Sequence, residues 1–247
     1  MAGSGQEHVT RLDHRMHTLD QLAPDLWAAT RPLPIAVGDI GARMTVMRLP
    51  DRTLMLHSPV ELDAALKSSL EELGTVRWIV GPSRAHHLFL AGYVSAYPGA
   101  SLCGAPGLAE KRRDLQFHHV LRGTPPEGWP EEVSFLLVEG APIMNEVALL
   151  HRPSRTLILT DLVFNVAPEN AHRARIFHWM VGASGRFGPH RLIRLGIRDR
   201  AAARRSIDRI LAWDFDRIVM CHGEIVPAGG REMLAKAFAF LPTGGVD

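Results

Sequence analysis

Short apolar runs of four to six residues recur along the chain at Leu26–Ala29, Met44–Leu49, Thr53–His57, Val76–Val80, Val133–Val138, Glu146–Leu150, Thr156–Thr160 and Arg217–Cys221. Their length and hydrophobicity predict strands. Two stretches between them change period. After Ser58-Pro59-Val60-Glu61, Leu62, Leu66, Leu70 and Leu73 fall on one face of a helix. Ser58 is expected as its N-cap, Pro59 at its first position and Glu61 as the partner of a capping box. Over Asp199–Trp213, Ala202, Ile207, Ile210 and Leu211 make an apolar side opposite arginines, and this helix leads directly into the Arg217 run. Strands alternating with helices predict an α/β layered fold.

The size of the chain, 247 residues with 46% hydrophobic content, suits one domain with a full core, expected over residues 19–247 behind a flexible tail at 1–18. His8, His14 and His17 lie in that tail and are set aside as ligands. A balance of 28 basic against 26 acidic residues, net +2, creates no field that would select nucleic acid or an anionic membrane. Two cysteines, Cys103 and Cys221, are too few for a disulfide framework, and every apolar stretch is too short to span a membrane. Residues 1–17 lack the apolar core of a secretory signal, so the expected location is the cytoplasm. Ile176–Val181, followed by Gly182, Gly185 and Gly188, reads either as a lid over a site or as a helix packed on the core.

The candidate chemistry follows three of the strand-like runs. Gly81-Pro82-Ser83-Arg84-Ala85-His86-His87-Leu88 succeeds Val76–Val80, Asp161 closes Thr156–Thr160, and His222 follows Cys221. This arrangement resembles the metallo-β-lactamase superfamily, whose T-H-x-H-x-D-H motif sits between a strand and a helix. The overlay places His87 on the last histidine of that motif, His86 on its aspartate, and Asp161 and His222 on two later metal ligands. Pro82 and Arg84 stand where the two early histidines are expected, and Gly140, in Glu139-Gly140-Ala141-Pro142, stands for the remaining one. The resemblance thus implies a four-layered αββα sandwich in which one of two metal sites is abolished. The other would be left to His86, His87, Asp161 and His222. The strings His57-Ser58-Pro59, His86-His87-Leu88-Phe89 and Arg152-Pro153-Ser154-Arg155-Thr156-Leu157 are closer to one branch of the superfamily, the domain of unknown function 4336, over residues 20–241.

Three imidazoles and one carboxylate suit a single zinc or iron ion. At a helix start consecutive side chains diverge by about a hundred degrees, so His86 and His87 could approach one ion from two sides, or bond the helix start with no metal. Arg84 and Asp161 are the expected catalytic groups. Asp161 would bind the ion or, in a metal-free protein, pair with Arg84, and Arg84 would otherwise hold a small anionic substrate. Glu146, Asn145, Asn165 and Glu224 are candidates for the rim, with a solvated side chain the commoner alternative, and His57 reads either as lining the same end of the sheet or as a core histidine bonded to backbone. The implied activity is hydrolysis of a small ester, thioester, lactone or phosphoester; the alternative is a metal-free binding or scaffolding protein that keeps the fold.

Overall fold

The computed structural model describes residues 19–35, 38–165 and 187–242. In the first half, β1 (Asp20–Ala23), β2 (Leu26–Arg31), a small hairpin of β3 (Pro34–Ile35) and β4 (Gly38–Asp39), β5 (Ala42–Arg48) and β6 (Thr53–His57) precede α1 (Ala64–Leu73). There follow β7 (Thr75–Gly81), α2 (Leu90–Ala96), β8 (Ser101–Gly104), α3 (Leu108–Lys111) and β9 (His119–Val120). These strands form a seven-stranded sheet ordered β1-β2-β5-β6-β7-β8-β9, with β3 and β4 outside it.

The second half contributes β10 (Val133–Leu137), β11 (Val147–His151), β12 (Thr156–Leu159), β13 (Phe164–Asn165) and β14 (Phe187–Gly188). It closes with α4 (Arg191–Gly196), α5 (Arg200–Leu211), β15 (Arg217–Met220) and α6 (Gly230–Ala237). A four-stranded sheet runs β10-β11-β12-β15. Each of the eight expected strands is present, with ends shifted by at most a few residues.

Three apolar clusters separate four layers. Leu54 and Leu56 of β6 pack outward with Leu66 and Leu70 of α1, while Met55 between them packs inward with Ile158, Val147 and Leu149 of the other sheet. Leu157 and Leu159, on either side of Ile158, pack outward with Ile207 and Ile210 of α5. The alternation of side chains along a strand therefore feeds two cores at once, which explains why the runs are apolar throughout. The register shift between β6 and β7 leaves Arg77 unpaired, so Val76 and Ile79 can both face the outer core while Trp78 and Val80 face inward. The architecture is the expected αββα sandwich.

The start of α1 differs from expectation. Its N-cap is Asp63, whose carboxylate accepts the Leu66 N–H at 2.7 Å, five residues after Ser58. Ser58 has φ +56 and is buried, so it cannot serve as an exposed cap. The leucine face survives the shift, because Leu66 and Leu70 remain at helical spacing. The stretch read either as a lid or as a packed helix, Ile176–Val181 with Gly182 and Gly185, lies outside the described residues, as does the tail at 1–18.

Candidate metal centre

The strands aim their ends at one place. Strands β6, β7 and β8 are mutually parallel, as are β12 and β15, so the segments after β6, β7, β12 and β15 leave the sandwich at the same end. Backbone bonds join the two sheets there: Val147 N–H donates to the Pro82 carbonyl at 2.7 Å, and Arg84 N–H to the Met144 carbonyl at 3.0 Å. Ser83, fully buried, accepts the Ala85 and His86 N–H groups on its hydroxyl at 3.2 and 3.4 Å and thereby shapes the turn that presents His86.

At this end His86, Asp161 and His222 offer donor atoms that all lie within 4.8 Å of one another. His86 Nε2 stands 3.2 Å from Asp161 Oδ2, and His222 Nε2 stands 3.5 Å from Oδ1 of the same carboxylate. The far nitrogens are engaged too: His86 Nδ1 meets Ser58 Oγ at 2.7 Å, and His222 Nδ1 meets the Gly41 carbonyl at 2.6 Å. A carbonyl only accepts, so His222 must carry its proton on Nδ1, which turns the Nε2 lone pair toward Asp161. Burial lowers the pKa of His222 despite the Asp161 charge, so its neutral form prevails. A lone pair facing a carboxylate at this distance is repulsive unless a cation lies between them. The donor set fits one. Zinc bonds of about 2.0–2.1 Å at tetrahedral angles place neighbouring donors about 3.3 Å apart; each histidine stands near this distance from a different oxygen of Asp161, with the three donors within 4.8 Å of one another.

The electrostatics converge on Asp161. Burial pushes its carboxyl up, but the His86, His222 and His190 imidazoles outweigh this and hold it at about 2. Burial works against a charge on His86, yet the Asp161 carboxylate, with Cys221, raises its pKa well above the ordinary histidine value. Glu146, expected at the rim with a solvated side chain as the commoner alternative, is buried and holds the loop that carries Asp161. Its carboxylate accepts the N–H groups of Thr160, Asp161 and Leu162 at 2.7, 2.9 and 2.8 Å. Burial, followed by the Asp161 charge, lifts its pKa to about 7.

Two candidates stand apart from the cluster. His87 is not in the group; α2 begins only at Leu90, so the pair sits in a loop and the divergence expected of a helix start does not apply. Burial, then the charges of Lys111 and Arg112, lowers the pKa of His87. Arg84 is exposed; its side chain lies over Gly107 and its guanidinium approaches the Pro142 carbonyl at 3.5 Å. It forms no ion pair with Asp161 among the described residues, so the pairing that was one alternative for a metal-free protein is not seen there. Gly140, the third position where a histidine was expected, has φ +82, and a Cβ there would strike the Asp199 carbonyl at the start of α5. Close loop–helix packing takes the room a ligand side chain would need.

Of the remaining rim candidates, Asn145 donates to the Pro106 carbonyl at 3.0 Å and Asn165 to that of Glu224 at 3.0 Å. His57 is fully buried, with neither ring nitrogen bonded among the described residues, and burial followed by the His86 charge lowers its pKa to about 3. The sequence reading did not single out His190 or Arg43. His190 lies in a stretch without periodicity. It caps α4 and packs on Phe164 at 4.7 Å, and Phe164 in turn stacks on His222 with an interplanar angle of 6°. Arg43 belongs to a strand whose pattern gives no hint that its side chain crosses to the other sheet. It donates to the Met220 and Gly223 carbonyls at 2.7 and 2.8 Å, fixing the loop that bears His222.

A protein-family profile described as Domain of unknown function (DUF4336) matches residues 25–178. No curated protein matches the chain. Among solved structures, a metallo-β-lactamase from Hirschia baltica superposes with a TM-score of 0.62 at 12% identity, covering 91% of this chain and 98% of that one. One from Erythrobacter litoralis, with β-mercaptoethanol in its active site, gives 0.65 at 13% identity over 90% and 95%. The metallo-β-lactamase FIM-1 from Pseudomonas aeruginosa, in a mono-zinc form, gives 0.61 at 11% identity over 90% and 94%. At such identities the likeness is one of fold.

Proposed function

This chain belongs to the family described as Domain of unknown function (DUF4336), and from that premise we propose that His86, Asp161 and His222 hold a single divalent ion, zinc or iron, in a hydrolytic centre. Its substrate class is a small ester, thioester, lactone or phosphoester. The observation that carries this reading is the spacing of three donors from three separate loops, 3.2 and 3.5 Å about one carboxylate. Three protein ligands leave a fourth position for water, as catalytic rather than structural zinc sites do. When bound, such an ion lowers the pKa of its water to about 7 and so supplies hydroxide near neutral pH.

The chain's own residues do the rest. Gly41 and Ser58 fix the two imidazoles from behind, Glu146 fixes the loop of Asp161, and Phe164 covers the face of His222. Arg84, exposed two residues before His86, is available to an anionic group on the substrate. A metal-free binding protein is the second reading. It is favoured by the His86–Asp161 contact, which also forms a direct ion pair when His86 is protonated.

Metal analysis separates the two. Protein purified without chelator, then exposed to zinc or iron(II), is expected to retain one ion per chain. His222→Ala and Asp161→Ala should retain none, and His87→Ala should match the parent. Two ions per chain, or none in the parent at micromolar zinc, would overturn the single-ion centre.

A further inference from the structure

Ser58 is held in a backbone conformation that serine rarely adopts. Its φ of +56 lies in the left-handed region, where a non-glycine L-residue is strained, and it is buried directly after β6. Glycine would satisfy the same turn without strain. The N–H of Ser58 donates to the Val80 carbonyl at 3.0 Å, a bond any residue but proline would make. What glycine could not supply is the hydroxyl, which sits 2.7 Å from His86 Nδ1. Strain retained beside a candidate centre points to a role for the group that requires it.

We propose that Ser58 is a positioning residue of the metal centre, whose hydroxyl accepts the His86 Nδ1 proton and so turns the His86 Nε2 lone pair toward the ion position beside Asp161. The inference rests on the single-ion reading above. It makes the two histidines equivalent in design: each has its Nδ1 held by a protein oxygen and its Nε2 facing the same carboxylate. They differ in the holder. Gly41 offers a carbonyl that only accepts, whereas a serine hydroxyl can accept or donate.

Two substitutions separate hydroxyl from backbone. In Ser58→Gly the relieved strain offsets the lost bond, so the melting temperature stays close to the parent's while zinc affinity, read by competition with a chromophoric chelator, falls about 10–100-fold. In Ser58→Thr the β-branched residue at positive φ lowers the melting temperature, while zinc affinity stays near the parent's. Affinity that follows stability in both variants, or Ser58→Gly binding zinc as tightly as the parent, overturns the proposal. Should the parent bind no zinc, the single-ion reading fails by itself, and the ¹⁵N shifts of the imidazoles in metal-free protein still decide. Ser58→Gly is expected to move the His86 Nδ1 resonance and leave that of His222 in place. An unmoved His86 resonance, or covalent labelling of Ser58 by a fluorophosphonate, which would mark it as a nucleophile, overturns the positioning role.

Discussion

Glu146 is one carboxylate doing the work of three hydrogen-bond acceptors. Both oxygens are needed, one for the Thr160 N–H and the other for those of Asp161 and Leu162. In Glu146→Gln an amide NH₂ must face at least one of these donors inside the protein. Charge-assisted bonds are worth about 1.5–3 kcal/mol and a buried unsatisfied group costs about as much, so a loss of about 2–4 kcal/mol is expected in urea unfolding. A change below a few tenths would show that the loop is held by other contacts. This residue also marks how far the sequence was legible at the smallest scale. Asp161 and His222 could be placed because each ends an apolar run, and the fold gathers strand ends. The bonds of Glu146 and Ser58 and the ring contact of His190 with Phe164 join residues well separated in the chain, and no periodicity records which loop a buried side chain will hold.

Elements depend on packing that local pattern only partly states. The pattern over Leu62–Leu73 correctly marks the buried face of α1, because helical spacing is a property of the segment alone. Its start was misread because Ser58 and Asp63 are both acceptable caps, and the choice is made by the turn that delivers Ser58 to His86. Gly140 is similar: a motif comparison reads it as a lost ligand, whereas the structure shows a loop pressed against α5, with the Arg198 N–H donating to the Gly140 carbonyl at 2.8 Å. Gly140→Ala would impose both a strained φ and a clash with backbone, so a loss of about 3 kcal/mol or more is expected in urea unfolding. Gly140→His should likewise fail to add a second ion. At the opposite end of the sandwich, His151 ends β11 with Nδ1 on the Ser154 hydroxyl at 2.7 Å, and burial, partly offset by Asp25 and Glu132, lowers its pKa to about 4. The unfolded chain therefore binds the proton first. Stability from this group is complete above about pH 6.5 and is lost as pH falls to about 4, by about 3 kcal/mol in all. His151→Gln should reduce the slope of unfolding free energy against pH in that window by about one proton, and an unchanged slope would assign the acid limb to His57 or other groups.

Across the whole molecule, the centre exists only while two sheets keep their relative position. The apolar runs predicted the strands and the family resemblance implied two packed sheets, but neither could say which residue locks them together at the site. Ser58 and Gly41 stand behind the two histidines from the seven-stranded sheet, and His86 follows β7 of that sheet; Asp161 and His222 follow strands of the four-stranded one. The hydrophobic layer between the sheets supplies adhesion without fixing register to a fraction of an ångström, since apolar contact is non-directional. Arg43 is directional. From β5 it reaches the carbonyls on either side of Cys221 and His222, and both bonds leave one nitrogen, Nη1, of its guanidinium. Arg43→Met would keep the apolar stem and leave both carbonyls without their donor, so a loss of about 2–4 kcal/mol is expected. Zinc affinity should fall with it, because His222 would no longer be held against Gly41 and Asp161 at the same time. Arg43→Lys, with a single point of charge, should fall between the parent and Arg43→Met in both measurements. The decisive comparison is with Gly140→Ala, which lowers stability through a clash with the start of α5 rather than through a contact with the three donors. If Arg43→Met and Gly140→Ala, matched for unfolding free energy, weaken zinc binding equally, Arg43 contributes only to general stability; a selective loss in Arg43→Met shows that the contact between sheets is part of the centre.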